Sequence, residues 1–169
     1  MSELDPETFD LDAWIDGAER TVRSATVYQK AGLIGDLDLL ATRIENAERE
    51  EAIDGPGMGG GSGKLRAQYA KLAEQFEASA LIVRMKALTV DEKKAIAEAN
   101  EGGNVGSHIL AESMVEPRCT PEQIVKLEKA IGNAQFALVV QAFNRACEDT
   151  PSVSADFLPK SSGQDASEG

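Results

Sequence analysis

Histidine is all but missing from the chain: His108 stands alone, and the only cysteines are Cys119 and Cys147. A zinc centre built on several imidazoles is therefore excluded, and a His-based triad would have to be assembled around this one side chain. The cysteines have neither CxxC spacing nor a secreted context, so reduced thiols are expected rather than a redox pair. Basic residues are outnumbered, with 17 Lys and Arg against 29 Asp and Glu, for a formal charge of −12. That balance argues against nucleic acid or an anionic membrane as partner and suits a basic protein surface. Long apolar runs are also lacking, since none approaches the roughly 20 residues that cross a bilayer. The opening MSELDPETFD is acidic where a signal peptide would be basic and then apolar, so a cytoplasmic location is expected.

What is present is helical periodicity. A hydrophobic share of 42% in 169 residues fits one compact domain with loose ends. Residues 1–10 are expected to form a disordered arm, 11–150 a single mostly helical domain and 151–169 a disordered tail. Asp10 or Asp12 can cap a one- or two-turn helix that carries Trp14 and stops at Gly17. Residues 21–28 (TVRSATVY) are rich in β-branched side chains and read as a strand. Leu33, Leu37, Leu40, Ile44 and Ala47 then recur at helical spacing up to Asp54. A glycine-rich stretch, 55–63, reads as a flexible loop. Periodicity resumes at Leu65, Tyr69, Leu72 and Phe76, which predicts an antiparallel helical hairpin.

Residues 79–88 alternate well enough to read as a second strand, pairing with the first in a small two-stranded element. Thr89 or Asp91 caps a helix running toward Asn100. Another helix is expected from Asn104 or Ser107 through Met114 and Val115, ending before Pro117. Thr120-Pro121-Glu122-Gln123 is a strong helix start, with Ile124, Leu127 and Ile131 as the buried face. A last helix carries Phe136, Val139, Val140, Phe143 and Cys147. The expected fold is thus mainly α within an α+β class, with a central hairpin and a C-terminal helical bundle.

Signals for chemistry are sparse. Gly63-Lys64 invites a phosphate-loop reading, but the first required glycine falls on Met58 and the hydroxyl residue on Leu65. Glu45, Glu48, Glu50, Glu51 and Asp54 are dense enough to suggest a cation, yet they fall along a helix with no coordination loop and read as a solvated face. His108 reads as a solvent-facing or helix-start histidine, with a Cys119 and His108 nucleophile pair as the catalytic alternative. No cofactor or metal is expected. Trp14, Phe136 and Phe143 are core residues or partner anchors.

The order of segments carries a resemblance. FDLDAWIDGA (9–18), the strand that follows, the charged hairpin, ALIVRMKALTVDEKKAI (80–96) and VEPRCTPEQIVKLEKAIGNAQFALVVQAFNRA (115–146) together resemble tail assembly chaperones of long-tailed, siphovirus-type bacteriophages infecting actinobacteria. The resemblance implies a non-enzymatic protein of the infected host cytoplasm, which coats apolar helices of the tape measure protein, helps tail-tube protein polymerise around it, and is not retained in the virion. It also implies a longer product made by ribosomal frameshifting near the C-terminal tail. On this reading Trp14, Phe136, Val140 and Phe143 are the partner-binding candidates. The alternative expectation is a small structural or adaptor protein of the virion.

Overall fold

The computed structural model describes residues 7–54 and 61–152. The expected arm before residue 7, the glycine-rich stretch at 55–60 and the tail from 153 lie outside the described residues. Chain order is helix α1 (Leu11–Asp16), strand β1 (Val22–Tyr28), helices α2 (Leu33–Asp54) and α3 (Gly61–Glu77), and strand β2 (Ala80–Lys86). Helices α4 (Val90–Ala99) and α5 (Val105–Ser113), strand β3 (Met114–Glu116) and helices α6 (Pro121–Ile131) and α7 (Asn133–Glu148) complete it. The protein is mainly helical with a small antiparallel sheet, the α+β class that periodicity implies.

The sheet order is β1-β2-β3. Ala25 lies opposite Val83 and Val27 opposite Leu81, and because side chains alternate across a strand these residues share one face with Met85. Helix α7 lies on that face. Its Phe136, Val139, Ala142 and Phe143 pack with Val27, Val83, Met85, Leu88, Leu110, Met114 and Ile124 into one core. The C-terminal helices α5, α6 and α7 pack on one another, and α7 also covers the sheet, so bundle and sheet share one core. The other face presents Ser24, Thr26, Ile82 and Arg84 to solvent.

Three strands form where the sequence predicts two. The helix expected through Val115 ends at Ser113, and the next three residues pair with β2, Met114 beside Met85 and Glu116 beside Arg84, across a bulge. The cause is the second edge of β2, whose backbone groups need partners when buried. Ser113, fully buried, donates its hydroxyl to the Lys86 carbonyl at 2.7 Å, and Met114 turns its side chain into the core. Pro117 disfavours helical backbone at Glu116 and removes the competing state.

The helical hairpin is present. Arg66 pairs with Glu48 and Ser62 with Glu51, while Tyr69 sits beside Ala41 and Ile44. Numbers rise on one helix as they fall on the other, so the helices are antiparallel. Gly61, Ser62 and Gly63, expected in the loop, are the first turn of α3. The Glu51 carboxylate makes this possible by accepting from the Ser62 N–H at 3.0 Å and the Ser62 hydroxyl at 2.7 Å. It thereby places an anion at a helix N-terminus. At the hairpin root, the Tyr28 ring stacks on Phe76 with centroids 4.1 Å apart. Only Leu37 and Leu40 of α2 are buried, and no residue of α3 is, so the two helices pack chiefly on each other.

Candidate binding groove

The start of α6 is fixed locally. Thr120 accepts from the Gln123 N–H while the Gln123 side chain accepts from the Thr120 N–H, a reciprocal cap with Pro121 in the first helical position. From there α6 packs on α5 and α7 rather than squarely over the sheet. Ile124 reaches the core, but Leu127 and Ile131, one and two turns further along the same face, stay partly exposed. Opposite them, Leu81 at the start of β2 remains 39% exposed although it belongs to the face that α7 covers elsewhere. The sheet here extends beyond its helical cover, and a groove results.

Two cavities make up this groove and meet at Leu81 and Leu127. One, of about 240 Å³, lies among Leu81, Val83, Met114, Pro117, Arg118, Cys119, Gln123, Ile124 and Leu127. The other, of about 490 Å³, lies among Val27, Gln29, Ala78, Ser79, Ala80, Leu81, Leu127, Ala130 and Ile131. Their walls are mostly aliphatic, and Arg118 is the one charged side chain among those residues. Among the described residues no carboxylate lines either cavity. A surface of this kind accepts apolar side chains spaced along a helix or an extended segment.

The residues singled out from sequence are dispersed. Phe136 and Phe143 are each only 9% exposed and belong to the core, and Val140 packs against that core. Of the four partner-binding candidates only Trp14 is presented to solvent, at 55%. Helix α1 has no buried residue, and Phe9 tilts its ring against Trp14 at 6.5 Å.

His108 and Cys119 do line one cavity of about 250 Å³, with Ile96, Asn100, Ala111, Glu112 and Pro121. The Cys119 thiol, however, donates to the Met114 sulfur at 3.4 Å, and burial pushes its pKa up, opposite to the shift that activates a nucleophile. Gly63-Lys64 lies inside α3 and follows a helix, not the strand a phosphate loop requires. Two of the α2 carboxylates are engaged locally, Glu48 by Arg66 and Glu51 by Ser62. Among the described residues no three His, Cys, Asp or Glu converge as metal ligands, and no helix is long and apolar enough to cross a membrane.

Sequence reasoning named Ile124, Leu127 and Ile131 as one buried face and Leu81 as an apolar strand residue. Spacing alone does not show that all four line a groove, because that depends on how far α7 covers the sheet. No family model matches the chain, and no curated protein or solved structure is significantly similar to it.

Proposed function

We infer that the protein is a non-enzymatic chaperone of phage tail assembly, holding apolar helical segments of the tape measure protein in the host cytoplasm until tail-tube protein polymerises around them. The observation that carries a binding role is the aliphatic groove between α6 and β2. A client helix would set side chains at i, i+3 or i+4 and i+7 against Leu81, Leu127 and Ile131. The tail-assembly assignment is supported by the resemblance across residues 9–146. An acidic surface favours basic client flanks and keeps copies soluble while they hold apolar cargo. Release on tube growth is consistent with a groove this small, and a frameshifted longer product would supply the contact to tail-tube protein.

The test is co-expression with the neighbouring tape measure and tail-tube proteins, followed by pull-down and a solubility assay. Tape measure protein should become soluble and co-purify, and Leu127→Gln should weaken both effects. A client that stays insoluble beside abundant folded protein would overturn the reading. Stoichiometric amounts of the protein in purified virions would instead favour a retained structural or adaptor role.

A further inference from the structure

Two apolar features stay exposed among the described residues and complement each other. Helix α1 carries Leu11, Trp14 and Ile15 at the i, i+3, i+4 spacing of a single stripe, exposed by 57, 55 and 53%. Asp12 and Asp16 occupy the same short helix, and Asp10 caps it. The stripe is thus an apolar ridge on an acidic helix. The groove is its counterpart in shape and in sign. Arg118 is the one charged side chain among its lining residues. With a charge of −12 over the whole chain, an apolar recess whose one lining charge is the basic Arg118 is where an acidic helix can settle against a copy of the same protein.

In the structure α1 does not occupy its own groove: Leu11, Trp14 and Ile15 are exposed, and none of them lines either cavity. Arg20 is held by both oxygens of Glu92 on α4, at 2.8 and 2.6 Å. Between α1 and Arg20 only Gly17, Ala18 and Glu19 remain, and three residues reach about 10 Å. We propose that α1 of one copy docks its Leu11, Trp14 and Ile15 stripe into the α6 and β2 groove of a second copy, so that free protein assembles head to tail and guards its client surface with its own helix. This builds on the groove as a binding surface, but its test needs no client. A contact between different surfaces leaves one helix and one groove free at the ends, so the assembly can extend or close into a ring.

Trp14 is the sole tryptophan, so its fluorescence reports docking directly. Full-length protein is examined across a concentration series by light scattering and by emission wavelength. Mass should rise above the monomer with concentration while Trp14 emission shifts to the blue in parallel. Trp14→Ala, at a residue outside the core, should remain monomeric, as should Leu127→Gln with an unchanged circular dichroism spectrum. Mixed, the two variants should form a one-to-one pair and nothing larger, because one retains a groove and the other a helix. If Leu127→Gln fails to fold, Leu11→Ser with Ile15→Ser replaces it as a check, and should abolish both the mass increase and the emission shift. Any of three results overturns the proposal: a monomer with solvent-exposed emission at every concentration, an oligomer that survives Trp14→Ala, or a blue-shifted monomer, which would place α1 in its own groove.

Discussion

The side-chain amide of Gln135 on α7 closes onto the backbone of Tyr28 at the end of β1. The Tyr28 N–H donates to Oε1 at 2.7 Å, and Nε2 donates to the Tyr28 carbonyl at 3.1 Å. Gln135 thus stands in for the next strand at an edge, saturating one outward-facing N–H and C=O pair and fastening α7 to the sheet. Gln135→Ala should lower stability by about 1–3 kcal/mol, as two half-buried backbone groups lose partners. Urea unfolding followed by circular dichroism reads the loss, and an unchanged midpoint would show that water replaces the amide without penalty.

The aromatic residues divide into two roles, and their stabilities should show it. Phe143 fills the core beside Val139, with Lys93 Nζ 5.8 Å from its ring centroid, so Phe143→Ala should cost about 3–5 kcal/mol. Trp14 contributes no core contact, and Trp14→Ala should stay within about 0.5 kcal/mol of wild type. Thermal melts of the two variants make the comparison, and equal losses would contradict the burial of one and exposure of the other.

Local signals explain why so much of the architecture is legible in sequence. Thr120-Pro121-Glu122-Gln123 carries its own cap, Thr89 with Glu92 carries another, and the apolar stripe of α7 is visible as spacing. The strand β3 is not legible, because its three residues continue a helical pattern and become extended only when β2 offers an edge. Phe136 and Phe143 show the same limit, since a periodic aromatic looks alike in sequence whether it faces a sheet or a partner. The groove is the least legible feature of all: it is a mismatch in length between a helix and the sheet beneath it, and no single residue encodes it.

Gly132 joins α6 to α7 with φ 79° and ψ 163°, backbone that only glycine adopts without strain. A Cβ there would meet nothing within 4 Å, so the cost of Gly132→Ala is conformational alone, about 1–3 kcal/mol. Chemical unfolding measures it. A neutral result would mean that the α6 to α7 corner relaxes to another conformation, which a change in the amide spectrum of residues 131–134 would reveal.

Burial is uneven along the chain, and amide exchange should follow it. Val83 and Met85 in β2 are wholly buried between β1 and β3, whereas α3 contributes no buried residue. Opening the hairpin therefore exposes little apolar surface, while opening β2 exposes the core. Hydrogen exchange should protect β2 and α7 close to the global unfolding limit and α3 much less. Equal protection in α3 and β2 would mean that the hairpin unfolds only with the body.

The ion pair between Arg20 and Glu92 joins the segment before β1 to α4, and it titrates in a known direction. The Arg20 guanidinium, together with the Thr89 N–H that donates to the same carboxylate, holds the Glu92 pKa down to about 2 from an ordinary 4.5. A depressed carboxyl favours the fold while it is ionised, so this contribution is complete above about pH 4.5 and fades as pH falls toward 2. Arg20→Gln removes the larger cause and leaves the cap, so the Glu92 pKa should rise part of the way back. Side-chain carboxyl NMR titration of both proteins reads the shift directly, and an unmoved Glu92 would assign the effect to the Thr89 cap alone.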